Sequence, residues 1–131
     1  MAGYTTRNNG LIFNGASRGQ LVVSIPVGYK LTVTLINRAA TRHSAEVTAY
    51  ANRDGVSFPP AFPGAATPQA ATGIAQGAKQ TFTFTASAVG TYALVCAVPG
   101  HAAAGMWDTL KVTRGGPVSL TNTAGRTGRR P

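Results

Sequence analysis

Lys30-Leu31-Thr32-Val33-Thr34-Leu35-Ile36-Asn37 alternates apolar and polar side chains, with Leu31, Val33 and Leu35 on one side and the threonines on the other. A period of two marks a strand with one buried face. The pattern recurs in Gln80-Thr81-Phe82-Thr83-Phe84-Thr85, where Phe82 and Phe84 point inward, and in Asp108 to Arg114 through Leu110 and Val112. Leu21 to Ile25, Ala45 to Tyr50 and Thr91 to Cys96 are further β-rich runs, and Leu11 to Phe13 suggests a short edge strand. Pro26-Val27-Gly28, Asn52-Arg53-Asp54-Gly55 and Val89-Gly90 punctuate them as turns. Seven or eight short strands without helical periodicity predict an all-β fold, a sandwich of two sheets.

The chain has 131 residues, which fits one domain. Two stretches resist the strand pattern. Residues 51–78 carry Pro59, Pro60, Pro63 and Pro68 among alanines and glycines, a long loop that needs a purpose in so small a domain. Its Phe58 and Phe62 either pack against the core or roof one end of the sandwich. Residues 115–131 are expected to be a flexible basic tail and residues 1–10 an N-terminal extension, leaving 11–114 as the domain.

Twelve Lys and Arg face three acids, Glu46, Asp54 and Asp108, giving a net charge of +9. The basic residues are scattered and not interleaved with aromatics, so nucleic acid is not the expected partner. A shortage of carboxylates suits acid surroundings, because acid denaturation acts mainly by protonating carboxylates that are paired in the folded state. The fold is therefore expected to survive to about pH 2–3, with metal affinity failing first as protons compete for histidine.

The chemistry lies in Cys96-Ala97-Val98-Pro99-Gly100-His101-Ala102-Ala103-Ala104-Gly105-Met106-Trp107. Cys96 is the only cysteine, so no internal disulfide exists, and His43 is the only histidine besides His101. Singly, a cysteine or methionine is usually core filling. Together, one thiolate, two imidazoles and a thioether make the ligand set of an electron-transfer copper site, a Cys/His/His plane with a weak axial Met. Strand parity puts Cys96 on the face of Tyr92 and Leu94, and His43 on the face of Ala45 and Val47, with Ser44, Glu46 and Thr48 outward. The ligands would then meet at one end of the sandwich.

With Cys-x4-His-x4-Met and an upstream His in place, the chain resembles the cupredoxins. Within them it is most similar to sulfocyanin, then rusticyanin, through Phe13-Asn14-Gly15-Ala16-Ser17 with Gly19-Gln20-Leu21 shortly after, Arg42-His43-Ser44 and the Pro-Gly-His and Gly-Met-Trp details of the long motif. The resemblance spans roughly residues 11–113 and implies a Greek-key sandwich with one type 1 copper held by His43, Cys96, His101 and Met106. It implies electron transfer, in respiration at the outer face of a membrane, and a Ser44 that ties the two ligand loops together. Redox proteins are the implied partners, including an acidic or membrane-bound oxidase, and a monomer is expected. Electrons are expected to pass through His101, amid an apolar surface of Val98, Pro99 and Ala102 to Ala104.

No run approaches a membrane helix, and Met1 to Arg7 lacks the apolar core of a signal peptide. An anchor or leader would belong to a precursor. An enzyme is the rival class: nitrite reductases and multicopper oxidases contain such domains but need further histidines, which this sequence lacks, so the alternative reading is a domain cut from such an enzyme. A copper carrier would favour exposed Met or Cys clusters, also lacking.

Overall fold

A computed structural model describes residues 17–122. Seven strands follow one another: β1 (Leu21–Pro26), β2 (Lys30–Ile36), β3 (Glu46–Ala49), β4 (Lys79–Thr85), β5 (Gly90–Val95), β6 (Trp107–Thr113) and β7 (Ser119–Asn122), with one 3-10 turn at Tyr50–Asn52. They form a five-stranded sheet in the order β3-β5-β6-β1-β7 and a two-stranded sheet of β2 and β4. The expected all-β sandwich is present. The edge strand expected at 11–13 and the extension at 1–10 lie outside the described residues.

The alternation that predicted β2 and β4 also sets their register. Leu31 opposes Phe84 and Val33 opposes Phe82 on the core face. On the other face the hydroxyls of Thr32 and Thr83 meet at 3.0 Å, and those of Thr34 and Thr81 at 3.3 Å. Beneath this pair, Phe62 stacks on Phe84 at 5.3 Å and touches Tyr92 at 4.8 Å between centroids. Buried aromatics supply much of a core's stability, each burying large apolar area. Phe62 thus belongs to the main core, while Phe58 packs against a second cluster of Ala93, Val95 and Ala102. Both phenylalanines pack, as the first alternative for the loop held.

Three sequence expectations change. Residues 115–131 are not tail throughout: Ser119–Asn122 pairs antiparallel with β1, from Leu21 opposite Asn122 to Ser24 opposite Ser119. A β1 flanked only by β6 would leave an open edge, and β7 supplies its partner. Ser44, Glu46 and Thr48 do not face solvent, with exposures of 0%, 4% and 0%. Glu46 and Thr48 lie opposite Val95 and Ala93, on the face over which Tyr50, Phe58 and Trp107 pack, and Pro59 O accepts from Thr48 Oγ1 at 2.8 Å, while the 51–78 segment also pairs with the open edge of β3. Val47 N–H donates to Ala65 O, Ala61 N–H to Val47 O and Thr67 N–H to Ala45 O. Both faces of β5 are covered too, Leu94 toward the main core and Ala93 and Val95 toward the second cluster, which also takes Ala102 out of the exposed loop surface.

Between the sheets lies an apolar cavity of about 220 Å³, lined by Leu21, Val23, Leu31, Val33, Leu110 and Leu120 and by the Asp108 side chain. No helix among the described residues is long and apolar enough to cross a membrane.

Candidate metal centre

His43 is placed by the loop leading from β2 to β3. At the end of β2, the fully buried Asn37 donates from its amide to Thr41 O (2.9 Å) and Ile74 O (2.8 Å), and its Oδ1 accepts from Ala39 N–H (2.9 Å). These bonds hold the 38–42 loop, and a two-way bridge between His43 and Ile74 fixes the next residue. Gly73 lets that bridge approach closely. Its φ is +80°, and a Cβ there would lie 2.8 Å from Val98 Cγ2 and 2.9 Å from His43 O. Neither role was visible in the sequence, where Asn37 is an ordinary strand end and Gly73 one of sixteen glycines.

Cys96 follows the last residue of β5 and points into the main core, on the face of Tyr92 and Leu94 as parity predicted. The chain then folds back through tight turns. His101 N–H donates to Val98 O, Met106 N–H to His101 O at 3.0 Å, and Cys96 N–H to Met106 O at 3.2 Å. Met106 returns beside Cys96, fully buried, before Trp107 opens β6 opposite Val95.

The thiol and the two imidazoles converge. Cys96 Sγ lies 3.3 Å from His101 Nδ1 and 3.9 Å from His43 Nδ1. Ligand atoms of all three residues lie within 4.8 Å of one another, and the rings stand 5.1 Å apart. Cys96 and His43 are 0% exposed and His101 is half-buried, leaving it the ligand nearest solvent. One soft sulfur and two imidazole nitrogens in an apolar pocket fit a copper ion, and the buried thioether of Met106 suits a weak fourth donor.

Burial pushes the Cys96 thiol up, opposed by backbone N–H groups of Ser44 and Val98. The Ser44 N–H lies 3.4 Å from Sγ. These donors favour the thiolate that a metal needs, so metal binding releases a proton. Burial, then the charge of His101, lowers His43 to about 4, and burial lowers His101 as well. Both imidazoles therefore stay neutral, and able to ligate, further into acid than free histidine. This weakens the proton competition expected from the sequence.

Ser44 clamps the two ligand loops: its Oγ accepts from Ala97 N–H at 2.9 Å and lies 3.9 Å from Cys96 Sγ. Ser44→Ala leaves the Ala97 N–H without that partner and should cost about 1–2 kcal/mol. The bond from the Ser44 backbone N–H to sulfur would survive. Urea denaturation of the metal-free protein measures the cost; unchanged stability would show the clamp to be idle.

The sulfocyanin (SoxE) domain family matches residues 1–120. A sulfocyanin of Sulfolobus acidocaldarius is 33% identical over 108 residues, which are 75% of this chain and 53% of that protein. The chain thus spans about half the length of that relative. Among solved structures, dithionite-reduced auracyanin from the photosynthetic bacterium Roseiflexus castenholzii aligns with a TM-score of 0.57 at 28% identity, covering 78% of this chain and 93% of that one. Rusticyanin from Thiobacillus ferrooxidans aligns with a TM-score of 0.51 at 31% identity, covering 70% of this chain and 60% of that one.

Proposed function

The chain belongs to the sulfocyanin (SoxE) family of cupredoxins, and on that premise we propose that it carries electrons by cycling one type 1 copper between Cu(II) and Cu(I). The convergence of Cys96, His43 and His101 within 4.8 Å, at one buried end of a rigid sandwich, carries this reading. Cys96 Sγ and the two Nδ1 atoms would hold the copper, with the buried Met106 thioether as a weak further donor. When bound, the copper supplies a one-electron couple. The protein's part is to hold the donors in place, through the Asn37 loop, the Gly73 approach and the Ser44 clamp, so that little rearranges when charge changes.

Electrons would pass through His101, the half-buried ligand, amid Val98, Pro99 and Ala103. Both histidines of the sequence are consumed in one site, leaving none for the type 2 or type 3 coppers of an oxidase or nitrite reductase. The chain is read as a carrier, not an enzyme. The setting proposed is a respiratory chain on the outer side of a membrane, with redox proteins such as a membrane-bound oxidase as partners and the carrier as a monomer.

Copper titration tests the reading. One equivalent of Cu(II) should give an intense visible charge-transfer band, and a second equivalent should add nothing. Met106→Leu should raise the potential and Met106→Gln lower it, each by roughly 0.1 V, since about 60 mV is a tenfold change for one electron. A colourless loaded protein would overturn the assignment. Unchanged potentials in both variants would show that Met106 is not a donor to the copper.

A further inference from the structure

We propose that the metal end is a docking face for an acidic protein, with Arg18, Arg38 and Arg42 as its charged rim; this rests on the copper reading above and adds the chemistry of the partner. Arg18 is exposed, and its side chain lies across the copper loop. A Cβ on Gly105 would come within 2.7 Å of the Arg18 guanidinium carbon, so only glycine, here at φ +106°, lets the arginine lie there. The guanidinium donates to Ala104 O at 2.9 Å, two residues before Met106. Arg42 immediately precedes His43 and donates to Gly73 O at 2.9 Å, beside Val98. Arg38 is exposed on the same loop, its carbonyl accepting from Gln76 Nε2.

Two of these guanidinium groups are thus pinned by backbone carbonyls of the segments that frame the metal site. Inside the rim, Pro99, Gly100 and Ala103 are exposed and Val98 is half-buried, a small apolar centre. No acid occurs in residues 17–20, 38–44, 72–76 or 96–107. Of the chain's three acids, Glu46 and Asp108 are buried, and Asp54 lies in the turn beyond β3. A face of one sign around an apolar centre attracts an oppositely charged surface and rejects its own kind. Guanidinium forks pair best with planar carboxylates. An acidic protein surface fits that combination, and the rings nearest the rim, Trp107 and His101, are both half-buried and offer no open platform for successive nucleic-acid bases.

A decaglutamate peptide serves as the probe, added to copper(I)-loaded, 15N-labelled full-length chain and followed by NMR at low and at moderate salt. Shift changes are expected around residues 18, 38–43, 73 and 97–104, fading as salt rises. Arg18→Gln with Arg42→Gln should weaken the peptide by about fivefold, the size expected of two exposed ion pairs. Lys30→Gln with Lys111→Gln, an equal charge change on exposed residues outside the rim, should leave it unchanged. Equal weakening by both pairs, or shifts spread over the whole surface, would mean that net charge alone attracts the peptide and would overturn the docking face. Tighter binding of an oligothymidylate of the same charge would overturn it in favour of nucleic acid. A chain that takes up copper without colour sinks the electron-carrier reading, whereas a blue double variant that keeps its peptide affinity sinks only the docking face.

Discussion

Cys96→Ser protein should stay colourless with Cu(II) at any concentration that leaves the fold intact. Sγ is the atom on which both imidazoles converge, at 3.3 and 3.9 Å, and the charge-transfer band requires a soft, ionised sulfur. A serine hydroxyl is harder and stays protonated, so the band should vanish entirely and not merely shift. The fold should persist, because serine is close to cysteine in size and its hydroxyl would lie near the Ser44 N–H that now faces sulfur at 3.4 Å. Absorption and circular dichroism taken together decide it. A retained band would show that Cys96 is not the ligand, and a lost band with intact dichroism is the expected outcome.

Glu46→Gln should grow steadily more stable than the parent as pH rises from 4 to 8, by on the order of 3 kcal/mol across that range. Burial pushes Glu46 up to about 7 from its ordinary 4.5, and its Oε2 has no hydrogen-bond partner. Burial beside the apolar cavity likewise pushes Asp108 up to about 7 from 3.8, with the Leu21 N–H pulling back at 3.0 Å. Between about 4.5 and 7 the folded chain keeps protons that the unfolded chain has released. Their stabilising contribution is therefore complete in acid and is lost as pH rises through 7. His43 acts in the opposite sense. Lowered from 6.5 to about 4, it binds fewer protons when folded, so its contribution falls as pH drops from 6.5 to 4. The histidines offset only part of what the two carboxyls lose, so the parent's metal-free stability should still fall as pH rises from about 4.5 to 7, and only the difference between parent and variant isolates the Glu46 carboxyl. Urea midpoints across the pH series measure it. A difference that does not change with pH would show that Glu46 is ionised inside the fold.

That behaviour departs from what the sequence suggested. Counting acids predicted that low pH would do little harm, but two of the three carboxyls actively favour the folded state there. The count was legible; the burial was not. Parity along Ser44-Glu46-Thr48 pointed these side chains outward, as it would for a strand with one wet face. The 51–78 loop, which showed no periodicity of its own, pairs with the β3 edge through backbone bonds and lays Phe58 and Pro59 over that face, and irregular cover of this kind leaves little trace in the strand's own pattern. Where one face alone was apolar, as in β2 and β4, strand limits and the inward residues followed directly from the sequence, while their pairing and register came from the structure. The metal cluster was legible for a different reason, because a single cysteine and two histidines leave few ways to build a site. What holds the cluster, Asn37 and Gly73, was hidden, since an asparagine at a strand end and a glycine in a loop each have many innocent explanations.

The place of β1 in its sheet has a consequence for how the chain is made. Leu21–Pro26 sits between β6 and β7, its parallel partner β6 beginning 86 residues further on and its antiparallel partner β7 later still. During synthesis, β1, the first strand among the described residues, must wait for β6 and β7 before either of its neighbours in the described sheet exists. At about 5–20 residues per second that wait is several seconds or more, with Leu21, Val22, Val23 and Ile25 uncovered. Pairing so distant in sequence also makes the search slow once the chain is free. Maturation of this protein is therefore set by its C-terminal third. A nascent chain cut anywhere before Trp107 should remain open to proteases, whatever metal is supplied to it.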